Sequence, residues 1–436
     1  MTQNLTTLAK ERGIKYYLFN FTDLFGTQRA KLVPAAAAGD MQKSGAGFAG
    51  FAAWLDFTPA HPDMFVMPDA QSVIQLPWKP EVAWIAGDPW MNGEPVAQGP
   101  RNVLKRLMAE SAEKGMLMKS GVEPEFHLIS KDGTTISDEF DTQEKPCYDQ
   151  SAVMRRYDVI SQICDTMTEL GWGPYQNDHE DANGQFEINW DFNDALTTAD
   201  QLAFFKFMVK SIAELHGLRA TFMPKPFSHL TGNGCHVHVS VWSNDSKTNR
   251  FSDDAGELGL SDEAYHFIGG LLDHGEALAA ITNPTVNSFK RINAPPTLSG
   301  ATWAPSSITF GGNNRTHMIR IPDDGRIELR LPDGAANPYL LMAVILAAGM
   351  DGVDKKTPSG DRLDNDMYAN PELAGDNAKR LPLNLLDAIR SYEKDSVINA
   401  AMGKEFSAAY CKLKRNDWNK YASSLTQWER DTTLDC

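Results

Sequence analysis

Four short stretches of the chain place a polar group on every second residue: Glu123-Pro-Glu125, Glu187-Ile-Asn189, His236-Val-His238 and Arg326-Ile-Glu328-Leu-Arg330. In a strand, residues i and i+2 point to one face. Each stretch therefore aims charged or imidazole groups one way and apolar neighbours the other. One such strand is an ordinary solvated edge; four of them, carrying acids, histidines and arginines, predict the inside of a polar cleft suited to metal ions and anions. Two apolar, aromatic-rich runs in residues 14–33 flank a turn near Asp23 to Gly26 and predict a hairpin. Residues 40–100, rich in Gly, Pro and Trp with short pieces such as SVIQLPW and VAWIAGD, predict a small β-rich domain. Residues 101–114 read as an amphipathic helix ended by Gly115, which puts the domain boundary near residue 100. Beyond it, strands alternate with predicted helices at 151–170, 199–216, 262–280, 337–350, 383–392 and 405–430, and a long loop fills 284–313.

With 436 residues the chain can bury a large core and build two domains. Its net charge of -16 argues against nucleic acid or an anionic membrane as the main partner, since both need a basic face. No two of the five cysteines have CxxC spacing, and their number fits a reducing compartment. The N-terminus lacks the apolar segment of a secretory signal, and the most apolar run, Tyr339 to Met350, is too short to span a bilayer. These features predict a soluble, cytoplasmic protein.

Two carboxylates on one buried strand face repel each other by about 4 kcal/mol at 4 Å in a protein-like dielectric. Glu123 and Glu125 are thus either a solvated face or a pair kept by cations. Adding Glu180, Glu187 and Glu328 gives five acids on strand-like segments, with His236 beside them. Oxygen-rich sites with one imidazole suit Mg²⁺ or Mn²⁺ better than zinc. His238 shares the face of His236, as a ligand or as a hydrogen-bonded core histidine. Arg291, Arg315, Arg320, Arg326 and Arg330 crowd one window, and no acid occurs between Ser288 and Pro322. They are either structural ion pairs or guanidinium forks for carboxylate and phosphate. Acid-held metals facing arginines outline a phosphoryl-transfer site. Asp178, two residues before Glu180, shares its face and is a candidate general base, or else a solvated acid beside a metal.

Together GVEPEF (121–126), HE…GQFE (179–187), TFMPKPF…TGNGCHVHVS (221–240), NPTVNSFKR (283–291) and NNRTHMIRIP…GRIELRLPDGAANPYL (313–340) resemble the glutamine synthetase superfamily. The resemblance implies an α+β fold, with a small N-terminal β-grasp domain (1–100) and a large catalytic domain (101–436) built on a curved antiparallel sheet flanked by helices. It implies that Glu125, Glu180 and Glu187 hold one ion beside glutamate, and that Glu123, His236 and Glu328 hold a second between the phosphates of ATP. It implies that Arg291 clamps the substrate's α-carboxylate, that Arg315 and Arg330 face its γ-carboxyl and the transferred phosphoryl group, and that Arg320, Arg326, His238 and Ser240 lie near ATP. Gly232 would let the backbone approach glutamate. ATP would phosphorylate the γ-carboxylate, and an amine would displace phosphate from the acyl phosphate. The superfamily assembles as two stacked hexameric rings, a dodecamer, and Tyr368 lies near where some relatives are adenylylated.

Two departures bear on the amine. Members using ammonium carry a flap glutamate shortly after the Arg291 position; here the segment reads Arg291-Ile-Asn-Ala-Pro-Pro-Thr297. They also carry a latch aspartate from the neighbouring subunit; here the matching stretch, Phe48-Ala-Gly-Phe-Ala52, has none. A less acidic site suits an amine bearing a methyl group. In this the chain is similar to the branch known as type III glutamate–ammonia ligases or γ-glutamylmethylamide synthetases, with methylamine as the expected amine. The alternatives are a ligase using ammonium, a γ-glutamylpolyamine ligase, whose amine site should be longer and more acidic, and a non-catalytic structural relative, against which the complete ligand set argues.

Overall fold

The computed structural model describes residues 4–297, 302–370 and 378–436. Two sheets organise it. The first has seven strands in the order Gln28–Pro34, Tyr16–Thr22, Val82–Met91, Met64–Pro68, Ala46–Phe48, with Ile74–Gln75 and Glu94–Pro95 also on Val82–Met91. Its centre is the parallel pair Tyr16–Thr22 and Val82–Met91, and the predicted hairpin is the antiparallel pair Tyr16–Thr22 and Gln28–Pro34. Asp23 shapes the turn by accepting from Phe25 N and Thr27 N, and Gly26 takes the positive φ of 80° that the turn needs.

The second sheet has nine strands. Its main path runs Phe310–Gly311, Ile319–Arg320, Ile327–Leu329, Cys235–Trp242, Leu117–Ile129, Gln185–Trp190, Pro174–His179, and only the first pair is parallel. Helices flank it. Among them Pro338–Lys355, with Leu341 to Ile345 fully buried, forms the centre of the core. Asn337 caps this helix through its Oδ1 to Tyr339 N, while its Nδ2 donates to Asp23 O at 2.8 Å, tying the core helix to the hairpin turn. We propose that the two parts divide between Glu94–Pro95 and the helix Pro100–Glu113. Arg101 on that helix holds both sides, donating to Asp69 and Asp88 of the first part and to Asp200 of the helix Ala195–Leu215.

Several predicted helices end earlier or break. The predicted helix 151–170 is split at Arg156, 262–280 at His274, and 405–430 stops at Ala422 before a short helix, Gln427–Thr433, opened by a Thr426–Glu429 capping box. Helices Leu5–Arg12 and Ala35–Ser44, not anticipated, pack on the first sheet. The predicted loop 284–313 contains a short helix, Ser288–Ile292, which carries Arg291; residues 298–301 of that loop lie outside the described residues.

Candidate active site

Strand register brings the alternating residues of different segments together. Glu123 pairs opposite His236, Glu125 opposite Glu187, Glu187 opposite Asp178, and Glu328 opposite both His238 and Arg320. Ligand atoms of Glu125, Glu180 and Glu187 lie within 4.8 Å of one another, as do those of Glu123, Glu187 and His236, and those of Glu123, His238 and Glu328. The first group is the triad expected for one ion. For the second expected triad, His236 Nδ1 is 3.6 Å from an oxygen of Glu123 and of Glu328. His238, expected only near ATP, is part of the cluster, its Nε2 2.9 Å from Glu123 Oε1.

The cluster is electrostatically divided. Burial raises Glu180 and Glu187 well above the usual carboxylate range, and their carboxylate neighbours add to it. Burial, then Glu123 and Glu125, push Asp178 up to about 6. At the histidine end burial is outweighed: His236 and His238 hold Glu123 well below its ordinary value, and Arg330, His236 and His238 hold Glu328 at about 2. Among the described residues, no cation offsets the acid-rich end, where neighbouring carboxylates reinforce burial. Asp178 Oδ1 and His236 Nε2 are buried without a hydrogen-bond partner. Carboxylate oxygens with an imidazole nitrogen and unused buried lone pairs fit hard divalent cations.

Of the arginines in the acid-free window between Ser288 and Pro322, Arg320 departs from the expectation of no acid partner, and Arg330, beyond that window, pairs with the Glu328 of its own face. Arg330 Nη1 donates to Glu328 Oε1 at 2.5 Å and its Nε to Arg315 O at 3.1 Å; Arg320 Nη1 donates to Glu328 Oε2 at 2.7 Å. For Arg320, strand pairing supplies that acid from outside the acid-free window, whereas Arg330 follows Glu328 by two residues on the same segment. Arg326 lies beyond the end of the three-residue strand Ile327–Leu329 and forms a fork with Asp323, both bonds 2.7 Å, largely in solvent. Arg291 and Arg315 make no ion pair among the described residues. Arg291 is buried, with Nη1 donating to Leu331 O. Arg315 is exposed and lines a cavity of about 780 Å³ with Trp303 and Tyr368, whose hydroxyl donates to Arg315 O at 3.2 Å. Ser240 continues the face of His236 and His238, and its Oγ accepts from Trp242 Nε1.

Gly232 is required by its surroundings: a Cβ there would sit 2.2 Å from Pro224 O and 3.1 Å from Arg291 Cγ. Gly234 is as tightly constrained: a Cβ there would stand 2.9 Å from Arg291 Nη2, 2.9 Å from His236 Nε2 and 3.0 Å from Glu125 Oε1. The Gly-Asn-Gly spacing was the available signal. Thr297, the last described residue of the acid-free segment before residue 298, donates to Asp181 Oδ2 at 3.4 Å, and Thr231 donates to the same oxygen at 2.8 Å. In the Phe48–Ala52 stretch, Ala49, Phe51 and Ala52 are exposed.

Residues 97–433 match the family described as glutamine synthetase, catalytic domain. The chain is 65% identical over 435 residues to a glutamine synthetase of Rhizobium meliloti (strain 1021), covering all of both chains. It is 43% identical to a glutamate–methylamine ligase of Methyloversatilis universalis, over 98% of this chain and 97% of that one. A solved GmaS/ADP complex superposes with a TM-score of 0.96 at 61% identity, over the full length of both chains. The fold and its relatives are those of an ATP-dependent ligase that joins glutamate to an amine. The chain belongs to the glutamine synthetase family, whose members use ATP and divalent metals, and the γ-glutamylmethylamide synthetase branch is supported among its relatives.

Proposed function

We propose that this ligase forms γ-glutamylmethylamide from glutamate, methylamine and ATP. The observation that carries the amine assignment is the missing pair of acids, at Ala49 and along Arg291 to Thr297. The names of the Methyloversatilis relative and the GmaS structure support it. Burying a methyl group is worth about 0.8 kcal/mol, roughly a fourfold preference, so ammonium remains a competent poorer substrate. The Rhizobium relative's name favours a second reading, a glutamine synthetase using ammonium.

In the proposed site Glu125, Glu180 and Glu187 hold one divalent ion and Glu123, His236 and Glu328 a second, with His238 beside the latter. The ions would neutralise and polarise the phosphoryl oxygens. Arg291, buried and without a carboxylate partner, clamps the α-carboxylate of glutamate across Gly232. Arg315 and Arg330 face the γ-carboxylate as it attacks the terminal phosphorus of ATP and ADP leaves. Arg320, His238 and Ser240 line the nucleotide side. Arg326 is proposed to lie on the same side, its solvent-exposed fork with Asp323 weak enough to exchange for a phosphate. Asp178 takes the proton that the attacking amine loses; the new C–N bond forms as the C–O bond to phosphate breaks. The active assembly is proposed to be a cytoplasmic dodecamer of two hexameric rings, with the Phe48–Ala52 stretch facing a neighbour's site. Among the described residues no helix is long and apolar enough to cross a membrane.

The test is phosphate release with glutamate and ATP, comparing kcat/KM for methylammonium, ammonium and putrescine. Methylammonium should give the highest value; equal or better efficiency with ammonium defeats the assignment in favour of the second reading.

A further inference from the structure

A buried hydrogen-bond network joins the carboxylate cluster to the loop beside Arg291. Its members Gln185, Asn233 and His127 have no solvent exposure. Gln185 Nε2 lies 2.9 Å from Glu125 Oε2, 3.0 Å from Gly232 O and 3.0 Å from Asn233 Oδ1. Its Oε1 accepts from Ala182 N at 3.1 Å, which fixes the orientation of the amide. Asn233 Nδ2 donates to Met223 O and Thr221 O, so its Oδ1 is an acceptor, and His127 donates to it from Nδ1 at 2.8 Å.

Glu125 Oε2 also accepts from Gly234 N at 2.7 Å. Two donors therefore fasten one oxygen of Glu125, and the other, Oε1, faces the cluster 3.9 Å from His236 Nε2. The same Gln185 amide reaches the carbonyl of Gly232, the residue packed against Arg291. An amide nitrogen has two hydrogens for these three acceptors, so a shift of any one partner redistributes the bonds to the others. In a dry, low-dielectric interior such redistribution is energetically significant.

We infer that Gln185 is a positioning residue that couples ion binding at Glu125 to glutamate binding at the loop of Gly232 and Arg291. The ion orders Glu125, Glu125 orders the Gln185 amide, and the amide orders the Gly232 carbonyl. By linkage the effect is reciprocal: glutamate tightens the ion as much as the ion tightens glutamate. This rests on the proposed reading of the cluster as an ion site and of the loop as the glutamate site.

The experiment is calorimetric titration of glutamate into the full-length protein, without nucleotide, in chelator and at saturating Mn²⁺, with Mn²⁺ binding measured separately. Wild type should bind glutamate about tenfold more tightly with the ion, within the usual range of coupling between sites. In Gln185→Met the ion should still bind, while glutamate affinity changes less than about twofold between the two conditions. Gln185→Glu, which keeps the size but sets a second acceptor against Glu125 Oε2, gives the same test should the methionine variant not fold. Wild-type coupling in either variant overturns the inference, as does absence of coupling in wild type. In wild type, manganese binding without coupling overturns the role of Gln185 alone; no manganese binding in wild type overturns the ion-site reading as well.

Discussion

Replacing Asp178 with asparagine should make the ion-free protein more stable while stopping amine transfer. Asp178 Oδ1 is buried without a partner, and burial together with Glu123 and Glu125 lifts the carboxyl from an ordinary 3.8 to about 6. The folded state therefore binds more protons than the unfolded state between these values, and stability falls as pH rises through that window. Above it the penalty is complete, about 3 kcal/mol for a fully buried group. Asp178 is only half-buried, and solvent screening reduces this to about 1–2 kcal/mol. Urea unfolding of wild type and Asp178→Asn in chelator, at pH 5 and pH 7.5, reads the effect. The variant should be more stable by about that amount at pH 7.5 and show a smaller gain at pH 5. With Mg²⁺ or Mn²⁺ the difference should shrink or reverse, because the cation replaces the repulsion with attraction. In activity, acyl-phosphate formation should persist while methylamide formation drops by about 10²–10⁴-fold. A variant no more stable than wild type at pH 7.5, or one retaining full amine transfer, refutes the reasoning.

Arg101→Leu leaves the carboxylates of Asp69, Asp88 and Asp200 facing one another without their shared cation, and should cost about 3–5 kcal/mol in denaturant unfolding; a loss below about 1 kcal/mol would show that they find other partners. Gly234→Ala should weaken Mn²⁺ binding by about tenfold or more and raise the glutamate KM, since the new Cβ displaces Arg291 and Glu125 together; an unchanged KM contradicts this. His274, held between Asp395 at 2.6 Å and Asp351 at 3.1 Å, has a raised folded pKa despite its burial. Its stabilisation, about 2 kcal/mol relative to His274→Gln, should be full below pH 6.5 and fade as pH rises through the folded value; a difference independent of pH would show that the charge is not involved.

The alternation in the four stretches was legible because strand periodicity leaves no choice of face once one residue is placed. Register was not: nothing in a single segment says that Glu187 stands opposite both Glu125 and Asp178. For the same reason the pairing of Arg320 with Glu328 could not be read from the local absence of acids. Ala35–Ser44 has an alanine run with little apolar periodicity, so its helix is visible only from its packing on the first sheet. The break at His274 coincides with buried contacts of its ring to Asp351 and Asp395, which lie far along the chain and could not be read locally. Gln185, Asn233 and His127 resemble ordinary polar residues of strands and loops; their connection exists only where three separated segments meet.

The most direct measurement follows isotope from glutamate labelled with ¹⁸O in its γ-carboxyl, incubated with ATP, Mg²⁺ and methylammonium. One ¹⁸O should appear in inorganic phosphate for each γ-glutamylmethylamide formed. Unlabelled phosphate accompanying methylamide formation, or ATP hydrolysis without methylamide, would contradict a γ-glutamyl phosphate route to that product.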